Sequence, residues 1–287
     1  MKSQKAKWFT IVAVLILITA FMVVNLLLSK YGLSVSQYEI KSDKITSPIR
    51  IVQLTDLHNS EFGQNNQTLY EKVKRQNPDL ILITGDLLNN DQDNTDIAVS
   101  LIKKLVEISK VYVSKGNHEL EFDERTGKKI EEIYESAGAV VLDDSYVDIK
   151  IREQKVRLGG VYGYCLPQNY LSKNDSRQAQ CDFLTDFQNT DNYKVLMSHL
   201  PYPWWNYSFG NEWNVDLVLC GHTHGGQIIL PFLGGLYDGE TGWFPGEVSG
   251  YKKDGADIIV SRGLGNTEQI YRFNNIPEIV TVDILKP

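Results

Sequence analysis

His222 and His224 flank Thr223 within VLCGHTHGGQIILP (218–231), where an apolar run ends at Cys220 and resumes at Ile228. On an extended segment two such imidazoles lie on one side, with Cα atoms roughly 6.5–7 Å apart. Gly221, Gly225 and Gly226 let the backbone turn sharply and something approach closely. Solvated loop histidines are the plain alternative, and the rest of the chain weighs against it. There are five histidines in 287 residues, and the other three also stand at the ends of apolar runs. His58 lies in LTDLHNS (54–60), His118 in SKGNHE (114–119), and His199 directly after KVLMS (194–198). A further run, DLILITGD (79–86), ends in Gly85-Asp86, and Asp56 stands two residues before His58. Imidazole and carboxylate together suit a borderline divalent cation.

Residues that share a site need elements that bring them to one place. Short apolar runs alternating with helical segments indicate an α/β protein whose strands are buried on both faces. In such folds polar residues gather where parallel strands end. Helical spacing is present over 65–77, 95–109, 126–137 and 176–190. From 139 to 163 the pattern becomes that of strands, with a hairpin turn at Arg152–Gln154, and the chain returns to strands in GADIIVSRGLG and EIVTVDIL. No internal repeat interrupts this order.

In sequence order, Asp56-x-His58, Gly85-Asp86, Gly116-Asn117-His118-Glu119, His199 and Gly221-His222-Thr223-His224 resemble the signature of the calcineurin-like metallophosphoesterases. The string GHTHGGQIILP, with SRGLGN (261–266) and PEIV (277–280), is similar to a membrane-associated bacterial branch of that superfamily. The resemblance implies a four-layer α/β/β/α sandwich and two divalent metal ions, Mn, Fe or Zn. Asp56, His58, Asp86 and His224 would hold the first ion; Asp86, Asn117, His199 and His222 would hold the second, with Asp86 shared. His118 would stand toward the leaving group as a catalytic residue, not a ligand. The implied reaction is phosphoester hydrolysis, with a water held between the ions attacking phosphorus in line. Read singly, Asp56 could be a cap and Asn117 a left-handed turn residue; the full ordered set has no such structural explanation.

The N-terminal part is a separate matter. Residues 1–7 form a short basic segment, and Trp8–Leu28 is a 21-residue stretch without charge, the length of one membrane-spanning helix. The apolar region is too long for a cleavable signal peptide, so an uncleaved single-pass anchor in the cell membrane is expected. Lys2, Lys5 and Lys7 favour a cytoplasmic N-terminus and an extracytoplasmic domain, although Lys30, Lys41, Lys44 and Arg50 follow the helix. Residues 29–47 read as a stalk, with Tyr38-Glu39-Ile40 able to start pairing, and 48–287 as one catalytic domain. The net charge of −7 gives no reason to expect general nucleic-acid binding. Cys220 reads as a core residue; Cys165 and Cys181 could pair or stay free.

Substrate features are thinner. The segment Pro201-Tyr202-Pro203-Trp204-Trp205 follows His199, and 231–255 is a Gly-rich loop with Trp243 and Phe244. Each could form a pocket wall, pack against the domain or touch a bilayer surface. Tyr202 and Arg262 are candidate substrate contacts, and Arg272 a further candidate phosphate clamp. The expected partner is a phosphorylated small molecule or a lipid-linked phosphoester: monoester, diester or pyrophosphate. A nuclease or cyclic-nucleotide diesterase, or a non-catalytic membrane-anchored binding module, are the alternatives.

Overall fold

A computed structural model describes residues 2–89, 93–163, 178–239, 241–246, 248–266 and 271–287. Helix α1 (Lys2–Tyr31) leads into β1 (Ser34–Lys41), β2 (Ile49–Leu54), α2 (Gln67–Arg75), β3 (Leu80–Thr84), α3 (Asp96–Leu105) and β4 (Lys110–Ser114). Helices α4 (Asn117–Thr126) and α5 (Ile130–Ser136) and strand β5 (Val140–Val141) complete the first half. The second half runs β6 (Ser145–Ile151), β7 (Gln154–Val161), α6 (Gln178–Phe187), β8 (Tyr193–Ser198), α7 (Tyr202–Trp205) and β9 (Leu217–Cys220). It ends with β10 (Ile229–Leu230), β11 (Gly234–Asp238), β12 (Gly242–Gly246), β13 (Gly250–Asp254), β14 (Ala256–Val260) and β15 (Glu278–Leu285).

Two six-stranded sheets result, ordered β1-β15-β2-β3-β4-β5 and β13-β14-β9-β8-β7-β6. Period-two alternation gives each sheet two apolar faces. Ile49 and Ile51 of β2 and Leu82 of β3 meet Leu158, Val195, Met197 and Leu219 of the other sheet. Val52, Leu54, Ile81 and Ile83 turn the opposite way, onto Leu69 and Val73 of α2 and Leu101, Ile102 and Leu105 of α3. On the far side Val218, Cys220 and Ile258 pack on Leu184 and Phe187. The layers are therefore helix, sheet, sheet, helix, as expected, and Cys220 is a buried free thiol.

Parallel pairing of β2 with β3 and β3 with β4, and of β7 with β8 and β8 with β9, sends the C-terminal ends within each sheet to one edge. Gln53 ties the two edges together: its Nε2 donates to Thr84 Oγ1 (2.9 Å) and to the carbonyl of Cys220 (2.8 Å).

Two boundaries differ from the sequence reading. The stretch 29–47 is not a free stalk: β1 pairs along its whole length with β15, Ile45 is fully buried, and Lys44 forms an ion pair with Asp216 at 2.8 Å. The helix expected over 126–137 begins at Ile130, because Gly127 ends a separate helix, α4, in a left-handed conformation. The hairpin at 152–154 is as expected: Ile151 pairs with Gln154, leaving Arg152-Glu153 as the turn. Cys165, and the side chain of Cys181, lie outside the described residues.

Candidate metal centre

Each candidate ligand sits just past a strand end. Asp56 and His58 follow β2, Asp86 follows β3, Asn117 follows β4 at the start of α4, His199 follows β8, and His222 and His224 follow β9. Asp56, His58, Asp86, His222 and His224 have left-handed φ values of 53°, 46°, 54°, 72° and 49°. Non-glycine residues adopt this conformation at a cost, and such strain concentrates at functional sites. It also changes the reading of the GHTH pair. The segment is not extended, and the two rings do not share one target: His224 joins Asp56 and His58, whereas His222 joins Asp86 and His199.

In the first cluster His58 Nε2 and His224 Nε2 stand 3.0 Å apart. Asp56 Oδ1 lies 4.0 and 3.8 Å from those two atoms. In the second, His199 Nε2 is 3.2 Å from Asn117 Oδ1, from His222 Nδ1 and from Asp86 Oδ2. The same Asp86 oxygen is 3.9 Å from His58 Nε2, so a single carboxylate oxygen faces both clusters. His118 is near as well, with Nε2 3.7 Å from Asp86 Oδ2 and its ring edge-on to His58. Its Nδ1 lies 3.2 Å from Glu121 Oε2, leaving Nε2 to face the centre.

The electrostatics suit cations. Burial lowers His58 to about 3 and His222 to about 4, and holds His224 well below the usual imidazole value. These three rings are therefore neutral at pH 7, the form a metal ligand requires. Burial also opposes charge on His199 and Asp86, but each overcomes it through the other. His199 rises to about 9 beside the Asp86 carboxylate, which stays far below its ordinary range. Because His199 Nδ1 meets the Thr84 carbonyl at 2.8 Å, that nitrogen carries a proton and directs Nε2 at the cluster. Two neutral Nε2 atoms at 3.0 Å can share at most one proton, and His58 Nδ1 is buried without a partner. Converging imidazole nitrogens with two carboxylates and an amide oxygen fit divalent ions of intermediate softness.

Glycine is required where backbones pass closest. A Cβ on Gly116 would strike Asp86 Oδ1, and Gly85, at φ 86°, faces Gly116 and His199. The fully buried Glu119 fastens this crossing, a role that sequence reasoning did not assign. Its carboxylate accepts from the backbone N–H groups of Asp86 (2.7 Å), Leu87 (2.9 Å), Leu88 (3.3 Å) and Gly116 (2.9 Å), and from Tyr134 Oη (2.9 Å). An acidic residue in the first turn of a helix was the available signal. Glu119→Ala should leave several buried donors unpaired and lower unfolding stability by roughly 3–5 kcal/mol. Denaturant unfolding measures that loss; a change under about 1 kcal/mol would contradict the role.

The candidate substrate contacts fare differently. Arg262 Nη2 donates to Glu278 Oε1 (3.0 Å) and Ser34 Oγ (3.2 Å), which ties the side chain to β1 and β15. Arg272 is buried behind the first cluster, its Nη2 3.1 Å from His224 Nδ1 and 2.6 Å from the Arg262 carbonyl. It therefore supports a ligand loop. Tyr202 packs edge-on against His222 and donates to Asp238 Oδ1 at 2.6 Å, so it positions His222.

The family model for calcineurin-like phosphoesterases matches residues 49–226, the span from β2 through the GHTHGG turn. The chain belongs to this family. As a metallophosphoesterase it is a phosphoester hydrolase with a buried metal-binding cluster. Phosphodiesterase YaeI of Escherichia coli (strain K12) is 28% identical over 252 residues, 83% of this chain and 83% of that protein. The uncharacterized metallophosphoesterase YkoQ of Bacillus subtilis (strain 168) is 25% identical over 187 residues, 64% of this chain and 63% of that protein. Among solved structures, a 5'-nucleotidase precursor from Thermus thermophilus aligns with 15% identity and a TM-score of 0.47 over 76% of this chain and 49% of that chain.

Proposed function

We propose that this metallophosphoesterase is a membrane-anchored, two-metal phosphoester hydrolase whose catalytic domain faces the extracytoplasmic side. The observation that carries the two-metal reading is Asp86 Oδ2, one oxygen within 4 Å of His199 Nε2 and His58 Nε2. Asp56, His58, Asp86 and His224 would hold one ion; Asp86, Asn117, His199 and His222 the other, with Mn, Fe or Zn as the fitting metals. Bound there, the ions supply Lewis-acid polarisation of the phosphoryl group and lower the pKa of a water. The chain supplies the rest. Asp86 offsets cation repulsion, and the neutral imidazoles leave net positive charge for an anionic ester. His118 Nε2, with Nδ1 held by Glu121, gives a proton to the departing oxygen.

The helix Lys7–Tyr31 is long and apolar enough to cross a membrane, and Trp8, Phe9 and Leu17 on it are more than two-thirds exposed. Of the cations after the helix, Lys44 and Arg50 are paired with Asp216 and Asp283. Lys2, Lys5 and Lys7 on the short N-terminal side support a cytoplasmic N-terminus, since charges inside a long folded domain weigh little on orientation. A cavity of about 400 Å³ lies between the helix end and the domain, lined by Leu26, Lys30, Phe62, Leu264, Tyr271 and Arg272. Since Arg272 also touches His224, the cavity supports a phosphoester presented from the lipid phase. YaeI, named a phosphodiesterase, supports a diester among the three ester classes.

A product survey of the full chain in detergent decides the substrate class. With each metal in turn, monoesters, diesters, nucleotide pyrophosphates and lipid-linked phosphoesters are offered. Metal-dependent release from at least one class is expected, and metal-loaded protein that hydrolyses none would favour a binding module. Protease added to intact cells should degrade the domain; protection until lysis would reverse the orientation.

A further inference from the structure

The hairpin after the GHTHGG turn carries apolar side chains that the fold does not bury. Phe232 is fully exposed, and Leu233, Trp243 and Phe244 are 61%, 65% and 61% exposed. Phe232 and Phe244 also have left-handed φ values of 68° and 56°. A bulky aromatic is costly there, and glycine or asparagine would serve a solvated turn better. Trp243 packs edge-on against Tyr237 across the strands, with ring centroids 5.2 Å apart, but core packing accounts for none of the four and backbone preference disfavours Phe232 and Phe244.

The base of the hairpin is fixed on both sides. Toward the metal centre, Gly226 abuts Gly235 of β11, and Asp238 at the end of β11 accepts from Tyr202, which packs on His222. Toward helix α1, Asn274 joins the two elements. Its Nδ2 donates to the Ile229 carbonyl of β10 at 3.0 Å, and its backbone N–H donates to Asn25 Oδ1 at 2.8 Å. Asn25 precedes the helix end at Tyr31 by six residues, about 9 Å along the axis. That depth is comparable with the interfacial layer of a bilayer, roughly 5–8 Å on each side, and aromatic side chains are favoured in that layer.

We propose that the β10–β12 hairpin rests in the interfacial layer of the same bilayer that α1 crosses, with Phe232, Leu233, Trp243 and Phe244 inserted among the lipids. The inference rests on the anchor reading given above. It makes the hairpin a second membrane contact, which holds the His222 side of the site at the lipid surface.

Tryptophan quenching tests it on the full chain reconstituted into phosphatidylcholine vesicles. Emission is compared with vesicles whose lipids carry bromine near the head of the acyl chains. Trp8 reports the helix and Trp243 the hairpin, whereas Trp204 and Trp213 are buried in the domain and the half-buried Trp205 packs against its core. Trp243→Phe keeps the site apolar and should remove roughly half of the lipid-quenchable emission, with Trp8→Phe removing most of the remainder. If only Trp8→Phe reduces quenching, the hairpin stays in water: the proposal is overturned and the anchor stands. If neither substitution changes it, the anchor reading fails and the hairpin proposal falls with it.

Discussion

Asp86→Ala should strip both metal ions from the chain and abolish hydrolysis. Its Oδ2 faces His58 on one side and His199 on the other. Losing several kcal/mol of charge stabilisation at phosphorus corresponds to roughly 10³-fold or more in rate. Its Oδ1 also accepts from the His118 backbone N–H at 3.0 Å, so Asp86→Asn, which keeps an acceptor, is the companion variant. Elemental analysis after gel filtration should find both ions missing in each variant, whereas Asp56→Ala should lose only the ion beside His58 and His224. Retention of one full equivalent by Asp86→Ala would remove the bridging role.

His118→Asn should keep both ions and lose activity according to the leaving group. The backbone N–H of His118 is held by Asp86, but its ring is fixed by Glu121 and presents Nε2 to the centre. General acid assistance is typically worth about 10²–10⁴ in rate. An alkyl alcohol needs a proton as it leaves; a nitrophenolate needs little. The loss should therefore approach that range for alkyl phosphoesters and stay far smaller for nitrophenyl esters. His118 also lies close enough to His58 and Asp86 to be considered with them as a ligand. A variant that lost an ion and fell equally on both ester types would show that it serves the metals and not the leaving group.

The parts of the fold legible in sequence were those governed by local pattern. Apolar runs marked β2, β3, β4, β8 and β9, and the polar residues terminating them are the ones that converge. What local pattern could not carry was backbone direction at those ends. The spacing of His222 and His224 suggested a common side, but φ values of 72° and 49° send them to different clusters. Helix α4 is not legible from periodicity because NHELEFDERT has no apolar stripe; the side chains it buries are His118, Glu119 and Phe122. Strand β1 is hard to tell from a stalk by local pattern because its partner is far away in sequence, with Ser34 opposite Glu278. The same distance hid the Ser34 and Glu278 contacts that draw Arg262 toward the sheet.

The most direct test of the two-metal centre is ester hydrolysis, followed on the substrate class that the product survey identifies and measured against metal added back to chelator-treated full-length protein. No activity is expected in the stripped protein, and a rise that breaks at two ions per chain. Full activity without metal, or saturation at a single ion, would contradict it.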